Sequence, residues 1–166
     1  MTSNLTFEGH DAEQVTYNTI LRTNVSLSNQ IFGKLYDKNG FPIYSISARA
    51  STASGAEHVS TGSFDKLNTE VVSNNPDFSS LLTTQSGRIF MLTHFETPLP
   101  AEQYLTEVVL DETSCMLSAS SLRRVDWSEY GGLWTPCAGS VSPWNTHLGS
   151  EEYEPDAKNL DVYDTW

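Results

Sequence analysis

Between residues 134 and 156 the chain reads Trp-Thr-Pro-Cys-Ala-Gly-Ser-Val-Ser-Pro-Trp-Asn-Thr-His-Leu-Gly-Ser-Glu-Glu-Tyr-Glu-Pro-Asp. A thiol (Cys137), an imidazole (His147) and the carboxylates Glu151, Glu152, Glu154 and Asp156 fall among glycines, prolines and tryptophans. Side chains that can ligate a metal thus alternate with residues that break regular structure, the composition of a site built on loops. A thiolate suits iron, whereas carboxylates suit calcium or ferric iron. Glu151 and Glu152 would point to opposite faces of a strand, so both reach one metal cluster only if the chain turns there or two sites flank it. The same residues also suit a plain acidic loop with Cys137 packed as a small apolar side chain. Neither Cys-x-x-Cys nor His-x-x-x-His occurs, which removes the usual zinc patterns, and without Gly-x-Ser-x-Gly there is no serine-hydrolase elbow.

The elements that must hold these residues read as short strands joined by turns. Ile31 to Tyr36 and Phe41 to Ile46 flank Asp37-Lys38-Asn39-Gly40, a hairpin signal, because Asn and Gly both tolerate positive φ. The Asp-x-Asn-Gly start resembles a calcium loop, but the later glutamate is missing. Residues 47–63, which include His58, are small and polar and read as a loop, and a short helix is expected after Asn75-Pro76-Asp77. Arg88 to Phe95 reads as a largely buried strand, and Tyr104 to Leu110 with Cys115 to Leu122 as a second hairpin. The expectation is all-β, with an extended arm over residues 1–30 and a sheet domain over 31–166.

Charge narrows the partners. Across 166 residues, 21 acidic side chains face nine basic ones, for a net charge of −12, and no basic patch is visible. Nucleic acid is therefore not expected as a partner. An acidic chain of this kind is either simply soluble or a holder of hard cations. No apolar run is long enough to span a membrane, and Met-Thr-Ser-Asn-Leu-Thr is not the start of a signal peptide. The glycosylation patterns at Asn4 and Asn24 read as chance matches in so Asn/Ser-rich a chain. Cys115 lies in an apolar strand pattern and Cys137 in the loop, so Cys137 is expected to be a ligand-type thiol and not half of a disulfide.

One stretch resembles a known family. Cys137, Gly139, Pro143, Trp144, Thr146, Leu148, Glu151 and Glu152 match, with their spacing, the Cys-x-Gly, Pro-Trp-x-Thr and Glu-Glu signature of PhoX-type alkaline phosphatases. Phe95-Glu96, Tyr104 and Gly131-Gly132-Leu133-Trp134 are also similar, so the likeness spans roughly residues 85–160. It implies a β-propeller with iron and calcium in its central channel, hydrolysing phosphate monoesters in the periplasm or outside the cell. It further implies Cys137 as a thiolate on Fe³⁺ and the Glu151-Glu152 pair as oxygen ligands, with Ca²⁺ as the second cation. His147 stands where the family often has an aromatic residue, and no role carries over to it. The resemblance expects this chain to be the opening part of an incomplete propeller, the remainder lying on another segment. Two other readings remain: a non-catalytic cation-binding or surface β-module, and a carbohydrate- or protein-binding domain using Trp134, Trp144 and Tyr153.

Overall fold

The computed structural model describes residues 2–5, 13–46, 68–97 and 100–154. The whole of the expected loop at 47–63, with His58, lies outside them, as do Pro155 and Asp156. Among the described residues there are twelve strands: β1 Thr2–Leu5, β2 Glu13–Thr16, β3 Ser26–Leu27, β4 Gln30–Ile31, β5 Tyr44–Ile46, β6 Asn68–Glu70, β7 Pro76–Thr83, β8 Ile89–Phe95, β9 Glu102–Asp111, β10 Met116–Arg124, β11 Pro136–Val141 and β12 His147–Glu151. A single 3₁₀ turn, Ser128–Tyr130, is the one helical element among the described residues. None of these elements is a helix long and apolar enough to cross a membrane. The chain is all-β, as its alternating apolar pattern requires.

Four consecutive strands form the main sheet, in the order β10-β9-β8-β7, every pair antiparallel. Its turns follow from local chemistry. Asp111 accepts from the backbone N–H groups of Thr113 and Ser114, closing the β9–β10 turn. Gly87, at φ +79°, closes the β7–β8 turn by donating to the Thr84 carbonyl at 3.0 Å. Cys115 lies in the β9–β10 turn, exposed and at φ 55°, and not within a strand as expected. Both cysteines are free thiols.

Pro76–Thr83 is a strand and not the expected helix. Proline is a helix-start signal, but it is equally at home on the first residue of an edge strand, where no ladder donor is missed. Phe78, Ser80 and Leu82 then turn inward at every second position, and β7 is the edge of the sheet. The turn at Asp37–Gly40 forms as expected, with Asp37 Oδ1 accepting from Asn39 and Phe41. Its flanks do not continue as one hairpin: Tyr36 bridges Pro42, Lys34 bridges Val72, and β5 pairs with β6. More of the first thirty residues is paired than an extended arm implies, since β1 joins β2 and β3 joins β4.

The core lies where the segment after β4 covers the sheet. Phe32, Phe95, Tyr104 and Leu122 are buried together, and the three rings meet edge to face at 4.8–5.7 Å. Gly33 sits at φ +88° with Ser73 O only 2.6 Å from where a Cβ would stand, so the chain passes over Phe95 only with glycine here. The buried Tyr104 hydroxyl donates to the Lys34 carbonyl at 2.6 Å, tying the covering segment to β9. Beside it, Arg124 grips Glu102 through two nitrogens at 2.9 and 3.0 Å and stacks under Tyr36 at 4.2 Å.

Phe95→Ala should cost about 3–5 kcal/mol of stability, by lost burial plus an unfilled cavity. Tyr104→Phe keeps the ring and loses one bond, so about 1–2 kcal/mol is expected. Urea unfolding of both variants checks the order. Equal losses would mean that the ring cluster is not the core that holds the covering segment.

Candidate metal centre

The β11–β12 hairpin packs against β7 and β8, and its docking builds the site. Both strands that meet there carry an irregularity. The register slips between Pro76 and Ser79 on β7 and between Pro136 and Gly139 on β11. A bulge bends its strand and re-aims the side chains beside it. The residues brought together are Asp77 from β7, Glu96 just after β8, and Cys137 from β11. Their ligand atoms all lie within 4.8 Å of one another.

Backbone bonds fix each position. The Glu96 amide donates to Asn75 O at 3.0 Å, the Thr135 amide to Thr97 O at 3.2 Å, and the Glu152 amide to Thr135 O at 2.9 Å. Thr135 is buried and holds φ 38°, a left-handed conformation unusual for a β-branched residue, two residues before the thiol. Strain of this kind persists only where its surroundings over-determine it.

The carboxylates of Asp77 and Glu152 lie beside the Cys137 thiol. Those acceptors, Asp77 first, followed by burial, push it up to about 12. Negative neighbours oppose the thiolate, and a bound multivalent cation would reverse that sign. Tyr153 holds φ 65°, and the Glu152 carboxylate beside it raises its phenol above the ordinary value.

The predicted ligands separate. Cys137 and Glu152 meet. Glu151 faces elsewhere, its Oε1 accepting from the Trp134 amide at 2.8 Å, while Trp134 Nε1 donates to Tyr153 O at 2.7 Å. Glu151 thus braces the strand-entry loop beside the thiol. Asp77 and Glu96 were not anticipated as ligands from the sequence. Glu96 does fall in the segment similar to the phosphatases, but Asp77 follows a proline in a stretch read as helical. His147 is packed and bonded inside the hairpin interface, 2.7 Å from His94.

Comparison with protein-family models, curated proteins and solved structures returned no significant match.

Both imidazoles lie below their ordinary range, His94 chiefly through burial, His147 through burial and then its neighbour His94. Each is depressed in the folded chain, so the unfolded chain takes up protons first as pH falls. The stability they lend is whole above an unfolded value of about 6.5 and is lost as pH drops toward their folded values. Urea midpoints compared at about pH 7.5 and about pH 5.5 should fall more for the wild-type protein than for His147→Gln. Parallel losses in the two proteins would mean that carboxylates elsewhere govern the acid limb.

Proposed function

We propose that this chain carries the thiolate-bearing part of the metal centre of a PhoX-type phosphatase, acting on phosphate monoesters outside the cytoplasm. The observation that carries this reading is the convergence of Cys137 with Asp77 and Glu96. It occurs where the Cys-x-Gly and Pro-Trp-x-Thr segments fold into the β11–β12 hairpin. The four-stranded antiparallel meander β7–β10 has the connectivity of one propeller blade, which supports the implied architecture.

The donor set tests which ions fit. Sulfur with two or three carboxylates suits iron; calcium wants about six to eight oxygens and takes a thiolate poorly. In this reading Cys137, with Asp77 and Glu96, holds Fe³⁺, and Ca²⁺ would draw on carboxylate oxygens alone, Glu152 foremost. Bound cations supply charge neutralisation and polarisation of a phosphoryl group. This chain's own part is to fix the ligands, with Glu151 bracing the loop that carries Trp134 and Thr135.

A second reading, a cation-binding β-module without turnover, is favoured by one feature. Asp77, Glu96 and Cys137 can hold a cation by themselves, and Glu152 beside Cys137 offers a further donor, so binding needs no substrate.

Co²⁺ serves as a redox-stable probe of the site. At a hundredfold excess over Kd, it should stabilise the folded chain by about 2.7 kcal/mol. Sodium chloride at equal ionic strength should not. Cys137→Ser and Asp77→Asn should each remove most of the gain, and Glu151→Gln should keep it. Gains that survive Cys137→Ser would reject the thiolate site. Hydrolysis of p-nitrophenyl phosphate by the metal-loaded protein separates the two readings: turnover supports the phosphatase, and tight binding without it supports the module.

A further inference from the structure

A hydrogen-bonded run begins inside the main sheet and ends on the backbone of Cys137. Ser80 Oγ lies 2.8 Å from His147 Nδ1, His147 Nε2 lies 2.7 Å from His94 Nε2, and His94 Nδ1 lies 3.2 Å from the Cys137 carbonyl. The direction of every bond follows from the last one, because a carbonyl only accepts. His94 must therefore donate through Nδ1, leaving Nε2 of the neutral ring as an acceptor. His147 then donates through Nε2 and accepts at Nδ1, and the Ser80 hydroxyl is the final donor. Each bond has one proton.

The run is also sterically enclosed. His94 is fully buried and Ser80 is 2% exposed, so neither group is placed to meet a substrate. Phe78 flanks both rings, with centroids 5.8 and 6.0 Å away. Gly149 closes the other side. A Cβ there would stand 3.0 Å from His147 Nε2 and from His94 Cε1 and Nε2. His94 is two residues before Glu96, so β8 delivers a carboxylate to the site and a clamp to the opposite hairpin.

We propose that Ser80, His147 and His94 are positioning residues that fix the Cys137 main chain, so that its sulfur stays directed at Asp77 and Glu96. The inference deepens the reading of Cys137 as a metal ligand and rests on it for its purpose, though not for its geometry. Space-filling alone would make the aromatic character of residue 147 sufficient. Positioning requires its donor.

The test uses the full chain with His147→Phe, which keeps a ring and loses the bonds, and His147→Gln, which restores an N–H donor. Metal-free protein is alkylated with iodoacetamide, and the rate at Cys137 is read against exposed Cys115 in the same molecule. Freed from the clamp, Cys137 in His147→Phe should react about tenfold faster relative to Cys115, the scale of one lost buried hydrogen bond. His147→Gln should return most of that factor. A ratio unchanged in His147→Phe overturns the proposal, as does one that follows each variant's unfolding free energy regardless of the donor. Co²⁺ titration separates this from the reading beneath it. A thiolate-to-cobalt absorption band is expected in wild-type protein and should weaken in His147→Phe. Its absence from the wild type removes the ligand role of Cys137, while the alkylation ratio still decides the clamp.

Discussion

Gly139 is the position on which the site depends. A Cβ placed there would lie 2.3 Å from Phe78 Cδ1 and 2.5 Å from Cε1, distances no side chain tolerates. Only a residue without a side chain lets β11 close on β7, and only that closure carries Cys137 to Asp77 and Glu96. The ring that demands the glycine also touches the His94–His147 pair, so one aromatic side chain sets the separation of the two layers. Close packing makes such a constraint stiff, since interiors do not absorb an extra methyl group without moving backbone.

That constraint gives physical content to the spacing in the Cys-x-Gly segment. The thiol and the glycine need not share chemistry. One supplies the sulfur, and the other permits the approach that makes the sulfur useful. Glu151 and Glu152 divide their work similarly: one carboxylate braces the Trp134 loop and its neighbour turns to Cys137. Adjacent residues on an extended segment face opposite ways, so a Glu-Glu pair is better suited to two tasks than to one ion.

Much of the sheet was legible because its strands alternate or stay apolar over several residues. Ile89–Phe95 and the β9–β10 hairpin follow from that pattern, although only Thr93–Phe95 of β8 is deeply buried. β7 was not legible, because Asn-Pro-Asp carries a helix-start signal that the edge of the sheet overrides through tertiary pairing. Of the site, Cys137 and Glu152 could be picked out from the motif. Asp77 could not, since it reaches the thiol through the packing of β11 against β7, between residues some sixty positions apart, with a bulge on each strand. No role could be assigned to His147 from the sequence because its partners, Ser80 and His94, are distant in the chain.

The central claim is that the sulfur of Cys137 and the carboxylates of Asp77 and Glu96 act on one cation. X-ray absorption at the metal edge of the cobalt-loaded chain measures this directly. The account predicts a first shell with one sulfur at about 2.3 Å and oxygens at about 2.0–2.2 Å, the sulfur being lost in Cys137→Ser. A shell of oxygen and nitrogen alone, or one that Cys137→Ser leaves unchanged, would contradict it.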